Sequence, residues 1–412
     1  MVYSDLQLHQ IYRGLDVLSG EKDEIENLLF WEDKDLFNAE VDVVLYDLTT
    51  LRFESTREDL GSLRKFGFSK EMRSDCTQVV LGLLLDTEGI PLGFEVFPGN
   101  TFEGQTIKSI VEKMRLKFKI RRFIFVGDRG IFSKDNLNEL RGESGEFIIG
   151  MKLGVFKKRA DEFYDLSRFV SIGEELKIYE TKHESDRCII TWSKKRADRD
   201  RKTREDILRK INKKLKGKRT TPKAFVSNQN YHRFLTGLNS GEVPALNEKA
   251  IEEASRKDGF FAVITNVADM SAQDIVANYK QLWKIEDAFG EIKGTLKARP
   301  IFHWTDKRIV GHLVVCFLAH YCEAQITRLL RQKNKKLKSK SIENGVIKER
   351  PLTVVQAMRE LAHVRVIPVK FPQERTLWVR TDIKDNAATL FQTIGVKIPP
   401  KVLNLKENNP TA

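Results

Sequence analysis

Two short apolar runs that each deliver an aspartate constrain this chain more than any other feature. Residues 41–47 read Val-Asp-Val-Val-Leu-Tyr-Asp, and residues 122–128 read Arg-Phe-Ile-Phe-Val-Gly-Asp. Runs of this length that are apolar on both faces read as central strands, covered from above and below. A carboxylate at the end of such a strand is costly unless something uses it, and strand ends of an open α/β sheet are where ligands bind. Turn capping is the plain alternative, because Asp47-Leu-Thr-Thr and Gly127-Asp128-Arg129-Gly130 are both ordinary turn sequences.

The surrounding pattern predicts the architecture. Strands are expected at 77–85 and 91–97, joined by the turn Asp86-Thr87-Glu88-Gly89, with a helix over 103–118. A short helix at 134–140 and a fifth strand at 146–151 complete the unit. Short turns imply antiparallel pairing among the first three strands, and helical crossovers imply parallel pairing for the last two. This order is similar to an RNase H-like core: α/β, a mixed five-stranded sheet with flanking helices. Regularity weakens over 152–258, and a strand at 260–265 then resumes the core before a long helix over 271–296. The expected organisation is a helical segment at 1–40, core at 41–151, a basic insertion domain at 152–258, core again at 259–332, and a C-terminal helical and strand region at 333–412.

Charge narrows the partner. Seventy-one Lys and Arg against 58 Asp and Glu give a formal net charge of +13 over 412 residues, and nucleic acid is the default partner of so basic a chain. Residues 194–219 alone hold 14 Lys/Arg against 4 Asp/Glu. Ile207, Leu208, Ile211 and Leu215 give that segment an apolar stripe. It therefore reads as a docked helix whose outer cations, among them Arg209, Lys210, Lys213 and Lys214, meet a DNA backbone; a merely solvated basic helix is the alternative. A second basic run at 331–340 reads as a flexible connector. No apolar stretch approaches the ~20 residues of a spanning helix. The N-terminus carries no export signal and the four cysteines are scattered, which suits the cytoplasm. His312, Cys316 and His320 recur every four residues and mimic a soft-metal site, but they lie among apolar residues and read as core.

The third acidic element lies in the predicted helix over 271–296. Tyr279, Glu286 and Lys293 are seven residues apart, which places them on one helical face beside an apolar stripe of Leu282, Ile285, Phe289 and Ile292. Asp47, Asp128 and Glu286 together form a hard-oxygen donor set that suits two Mg²⁺ ions, with Mn²⁺ as substitute.

The runs VDVVLYDLTTLRFES, FIFVGDRGIFSKDNL and YKQLWKIEDAFGEIK, with ARPIFHW at 298–304 and RIVGH at 308–312, resemble a bacterial insertion-sequence transposase of the DDE superfamily. The branch is the one with a Tyr-x2-Arg-x3-Glu-x6-Lys signature, and the resemblance covers about residues 10–380. It implies that Asp47, Asp128 and Glu286 are the metal-binding catalytic triad and that Tyr279 and Lys293 contact backbone phosphates at the transposon ends; Arg129 is a further candidate DNA contact. The signature's arginine is Leu282 here, so Lys280 or Lys284 is expected to supply that contact. The resemblance further implies Mg²⁺-dependent cut-and-paste cleavage and strand transfer on transposon-end and target DNA, a homodimer in a synaptic complex, and association with the nucleoid. An insertion domain of this type helps form a DNA hairpin and holds a flipped base, for which Trp192, Phe225 and Tyr231 are the aromatic candidates. Only 46 residues precede Asp47, fewer than relatives carry. Two alternatives therefore stand: a truncated, non-catalytic DNA-binding regulator, or an RNase H-like nuclease without strand transfer.

Overall fold

The computed structural model describes residues 7–33, 42–58, 61–68, 73, 75–118, 122–142, 145–215, 229–237, 244–343, 346–370 and 376–403. The chain forms two compact units, each assembled from separated segments. The first comprises Met1–Asn38, Asp47–Thr101 and Trp283–Ala412, and the second comprises Ala39–Tyr46 and Phe102–Leu282. Elements are numbered along the chain.

In the first unit, helices α1 (Leu8–Gly20) and α2 (Lys22–Asp33) precede the far half of strand β1 (Asp42–Arg52). Strands β2 (Gln78–Leu85) and β3 (Pro91–Pro98) form an antiparallel hairpin from Val79↔Pro98 to Leu83↔Phe94. Every residue of β2 is buried, which explains a run with no polar alternation. Glu26, 1% exposed, accepts the Phe94 N–H at 2.9 Å and pairs with Lys22 at 3.3 Å, so its charge is matched where water is excluded. Helix α9 (Trp283–Gly290) runs into a π-type turn at Glu291–Thr295.

The long helix α10 (Asp306–Gln332) packs on α1 and β3, with the Phe94 and Phe317 rings 5.3 Å apart. Gly311 permits this approach: a Cβ there would meet the Leu15 carbonyl oxygen at 2.1 Å. By length and composition α10 passes the test for a membrane span, with an 18-residue window of mean hydropathy 1.4 of which 39% is buried. This differs from the expectation that no apolar stretch approaches the length of a spanning helix. The buried side chains of α10, Ile309, Leu313, Val314 and Phe317 among them, are those of a core helix. C-terminal to it lie helices α11 (Val354–Leu361) and α12 (Asp385–Ile394), the hairpin β12 (Lys338–Glu343) with β13 (Val346–Pro351), and the sheet β14 (Val366–Lys370), β15 (Thr376–Arg380) and β16 (Val402–Leu403). Residues 338–340 are therefore strand, where the sequence suggested a flexible connector.

The second unit is built on one sheet. The near half of β1 pairs in parallel with β4 (Phe123–Gly127), from Asp42↔Phe123 to Tyr46↔Gly127, and β4 pairs in parallel with β5 (Glu146–Met151). Helix α3 (Ile107–Glu112), continued by a π-type turn at Lys113–Lys117, and helix α4 (Lys134–Gly142) make the crossovers. Tyr46, Phe125 and Phe147 are fully buried, each stabilising by about 1.5–3 kcal/mol relative to exposure. Buried Tyr46 donates its hydroxyl to Thr106 Oγ1 at 2.9 Å, so the polar tip is satisfied as well.

Residues expected to form an insertion are joined to this sheet. Strands β6 (Val170–Ile172), β7 (Leu176–His183) and β8 (Asp186–Ser193) form an antiparallel meander. Strand β11 (Phe260–Thr265) pairs antiparallel with both β5 and β8 and so makes the meander an extension of the core sheet. Helix α5 (Lys194–Leu215) packs Ile207, Leu208, Ile211 and Leu215 on Tyr231, Phe234 and Ala254, residues borne by helix α6 (Gln229–His232), its following turn and helix α7 (Glu248–Arg256). Strands β9 (Leu235–Thr236) and β10 (Ala245–Leu246) form a two-residue ladder beside them. Helix α8 (Ala272–Lys280) closes the unit, with Ser271 capping it through the Asp274 N–H at 3.1 Å.

Two expectations need correction. Asp47 does not end its strand, because β1 continues through buried Leu48, Thr49, Thr50 and Leu51 to Arg52. The carboxylate suggests a terminus, yet the β-branched and apolar residues after it suit a covered strand. The helix over 271–296 is also not continuous. At Gln281 and Leu282 the bonds tighten to Gln281 N–H to Asn278 O (3.0 Å) and Leu282 N–H to Tyr279 O (3.2 Å), and α9 begins afresh at Trp283. Tyr279 thus lies at the end of α8 and Glu286 in the first turn of α9.

Candidate active site

The β1–β4 register delivers the two aspartates. Tyr46 and Gly127 are the last pair of the parallel ladder, and Asp47 and Asp128 are the residues that directly follow them. Asp47 accepts its neighbour Leu48's N–H at 2.7 Å, and Asp128 accepts the N–H of Arg129. A Cβ on Gly127 would lie 2.8 Å from Ile131 Cδ1, so the turn that carries Asp128 folds tightly over the strand end. The Ile131 N–H bonds back to the Asp128 carbonyl at 3.2 Å and closes that turn.

Glu286 stands in the first turn of α9, exposed, while Ile285, Ala288 and Phe289 bury the opposite face. It lines a cavity of about 1090 Å³ within the first unit, together with Trp283, Asp287, Glu291, His320 and Glu323. Glu291 Oε2 and His320 Nε2 are buried there without a hydrogen-bond partner among the described residues. His320 is held on its other nitrogen, Nδ1, by Glu323 at 3.0 Å. His312 contacts the Ala298 carbonyl at 3.2 Å and Cys316 Sγ at 3.8 Å, which is the core packing expected of this trio.

Asp128 and Glu286 take part in no ion pair among the described residues, in a chain with a large surplus of cations. The donor chemistry, carboxylate oxygen throughout, fits a hard divalent cation. Among the described residues no group of three or more His, Cys, Asp or Glu lies close enough to hold a metal ion.

The cations assigned to DNA fall into distinct settings. Lys284 donates to the Thr87 carbonyl; burial first, then Arg331, holds its ammonium below the usual lysine range, with Asp86 and Glu88 opposing. Its charge is thus engaged at the β2–β3 turn, whereas Lys280 is exposed at the end of α8. Lys293 is half-buried in the π-type turn after α9. Along α5, Lys210 and Lys213 are exposed, Arg209 pairs with Asp206, and Lys214 lies 5.0 Å from the Tyr231 ring. Tyr231, 8% exposed, is engaged in the core beneath α5. Trp192 is half-buried in β8, with the Lys177 ammonium 6.0 Å from its ring, and Phe225 lies outside the described residues.

The second unit holds a cavity of its own, about 900 Å³, lined by Arg129, Lys152, Arg196, Arg204, Arg233 and Arg256 against Asp200, Glu253 and Asp258. Arg204 is bound by both oxygens of Asp258. The Arg196 guanidinium lies 4.9 Å from the Phe261 ring, and the Tyr279 ring packs against that same ring at 4.8 Å, tilted by 38°. Arg196 and Phe261 went unnoticed in the sequence, where one is a single cation among many in residues 194–219 and the other a residue of an apolar strand.

A mixed sheet flanked by helices, with aspartates following the last register pair of two parallel strands, defines an RNase H-like chain. The profile of the transposase DDE domain family matches residues 40–322, well over half of the chain. The chain belongs to the transposase DDE domain family, whose members act on DNA. No curated protein matches the chain at a significant level.

Proposed function

We propose that this chain is an insertion-sequence transposase that cleaves transposon ends and joins them to target DNA in a divalent-metal-dependent reaction. The observation that carries the reading is the Tyr46↔Gly127 pair, which sends Asp47 and Asp128 onward from adjacent parallel strands. Asp47, Asp128 and Glu286 are the residues that would hold the metal, Mg²⁺ or Mn²⁺, through hard carboxylate oxygens. When bound, a metal pair supplies activation of the attacking oxygen and charge stabilisation at the leaving oxygen of an in-line displacement.

The protein's own groups position the substrate. Tyr279, Lys293 and Arg129 are assigned to the phosphates next to the scissile bond, where orientation contributes most to phosphoryl transfer. Arg209, Lys210, Lys213 and Lys214, in the C-terminal half of α5, are assigned to the flanking duplex, a sequence-independent and salt-sensitive contact. A transposase holds two ends at once, so a homodimer on DNA is part of the proposal.

The test is strand cleavage of a duplex bearing the element's terminus, with Mg²⁺ or Mn²⁺, by wild type and Glu286→Gln. Metal-dependent nicking that vanishes in the variant supports the triad, and joined products separate a transposase from a nuclease. DNA binding without any nicking by wild type would overturn the catalytic reading in favour of a regulator.

A further inference from the structure

The arginine-lined cavity of the second unit contains a group that its own neighbours do not satisfy. Arg196 Nε is buried and makes no hydrogen bond among the described residues. The nearest carboxylate, Asp200, is 3.7 Å away, beyond hydrogen-bond reach, and its Oδ2 already accepts the Gly259 N–H at 3.1 Å. Across the cavity Arg129 is exposed and has no ion pair among the described residues. Burial, and then the like charges of Arg199 and Arg129, hold the Arg196 guanidinium below the usual arginine range, with Asp200 and Tyr279 opposing. Two guanidiniums that feel each other's charge, with too little acid between them, form a receptor for an anion.

The floor of this receptor is fixed by packing. Phe261 carries the Arg196 guanidinium and the Tyr279 ring at 4.9 and 4.8 Å. Gly150 on β5 lies beneath: a Cβ there would be 2.5 Å from the Tyr279 hydroxyl and 2.7 Å from Arg129 Cγ. A bare backbone at 150 thus lets Tyr279 and Arg129 settle together onto the sheet. Arg204, by contrast, is neutralised by Asp258 and is left out of the site.

We propose that Arg129, Arg196 and the Tyr279 hydroxyl together bind one backbone phosphodiester of the DNA, with Arg196 occupying the role for which the signature's arginine is missing at Leu282. Arg196 is then a phosphate-positioning residue supplied by the insertion. This rests on the reading of the chain as a DNA-acting transposase, and its test is a binding measurement, independent of cleavage.

Anisotropy titrations of a short fluorescein-labelled DNA duplex, without divalent metal and over a range of salt, compare Arg196→Gln with Arg199→Gln. Arg199 is exposed on the same helix, carries the same charge and does not line the cavity. Arg196→Gln is expected to weaken binding about five- to tenfold and to lower the salt slope by about one, the signature of one lost phosphate contact. Arg199→Gln is expected to change affinity less than about twofold, as a screened surface charge does. Where Arg196→Gln does not fold, Arg196→Lys serves: it keeps the slope but loses the planar fork, and about threefold weaker binding is expected. Equal effects at 196 and 199 would overturn the cradle while leaving the nicking assay to decide the transposase reading. An effect confined to 196 in a protein that never nicks DNA would keep the cradle and sink that reading.

Discussion

The two cavities handle charge in different ways. In the second unit, arginines outnumber acids around Phe261, and Arg196 stays unsatisfied on Nε although Asp200 is near. In the first unit, Glu286 shares its cavity with Asp287, Glu291 and Glu323, but also with Lys284, Arg331, Lys335 and Lys336. One surface is organised to receive an anion. The other presents carboxylates next to cations, of which Lys284 is held by the Thr87 carbonyl. A net charge of +13 points to a polyanion as partner without saying where it binds; unmatched groups such as Arg196 Nε are what the proposed site rests on.

The largest effect should separate the two functions outright. Glu286→Gln is expected to lower metal-dependent nicking on the order of a thousandfold while DNA affinity stays within about twofold, because loss of a charge-stabilising group acts on the transition state. Arg196→Gln should show the converse weighting, with binding weakened and the salt slope reduced. A loss of affinity in Glu286→Gln as large as the loss of rate would erase the distinction.

Smaller effects test the scaffolds beneath. Phe125 is fully buried in β4, its ring 5.4 Å from Tyr46, three residues before Asp128. Phe125→Ala is expected to cost about 3–5 kcal/mol in urea unfolding. A cost below about 1 kcal/mol would mean that the ladder supporting Asp128 is loosely packed.

In the first unit, burial lowers the pKa of His312 and of His303, whose rings lie 5.2 Å apart; the Ala298 carbonyl partly offsets the shift at His312, while His312 and Arg308 add to it at His303. The unfolded chain then binds more protons than the folded one as pH drops below the ordinary histidine value of 6.5. Stability is therefore complete above that value and falls as pH falls from it toward the depressed folded values. The melting temperature should drop between about pH 7 and 5, and less in His312→Gln; parallel profiles for the two proteins would count against the assignment. Smallest is Tyr46→Phe, which removes the 2.9 Å bond to Thr106 and should cost about 1 kcal/mol.

Much of the scaffold could be read from residues 41–47 and 122–128, because strands covered on both faces leave apolar runs that nothing else explains. The hairpin of β2 and β3, the parallel steps from β1 to β4 and β5, and the apolar stripe of α5 follow from the same reasoning. The break at Gln281 and Leu282 was hidden, since neither residue is a helix breaker and the seven-residue spacing of Tyr279, Glu286 and Lys293 looks continuous in one dimension. The union of insertion and core through β11 was hidden for another reason: pairing partners of an apolar strand such as Phe260–Thr265 are set by tertiary context. Within the candidate sites, the acids were visible because carboxylates after apolar runs are conspicuous. Arg196 was not, because only a neighbour such as Phe261, 65 residues away in sequence, distinguishes it from the other cations of α5.

Helix α1 rests on α10, and the ion pair between Asp16 and Arg308 joins residues 292 positions apart. During synthesis at about 5–20 residues per second, α1 would emerge roughly 15–60 s before its partner. Through that interval Leu15, buried in the finished protein against the surface where Gly311 meets its carbonyl, has nothing to dock on. The nascent chain thus carries an early amphipathic helix whose buried face stays uncovered until α10 has been made.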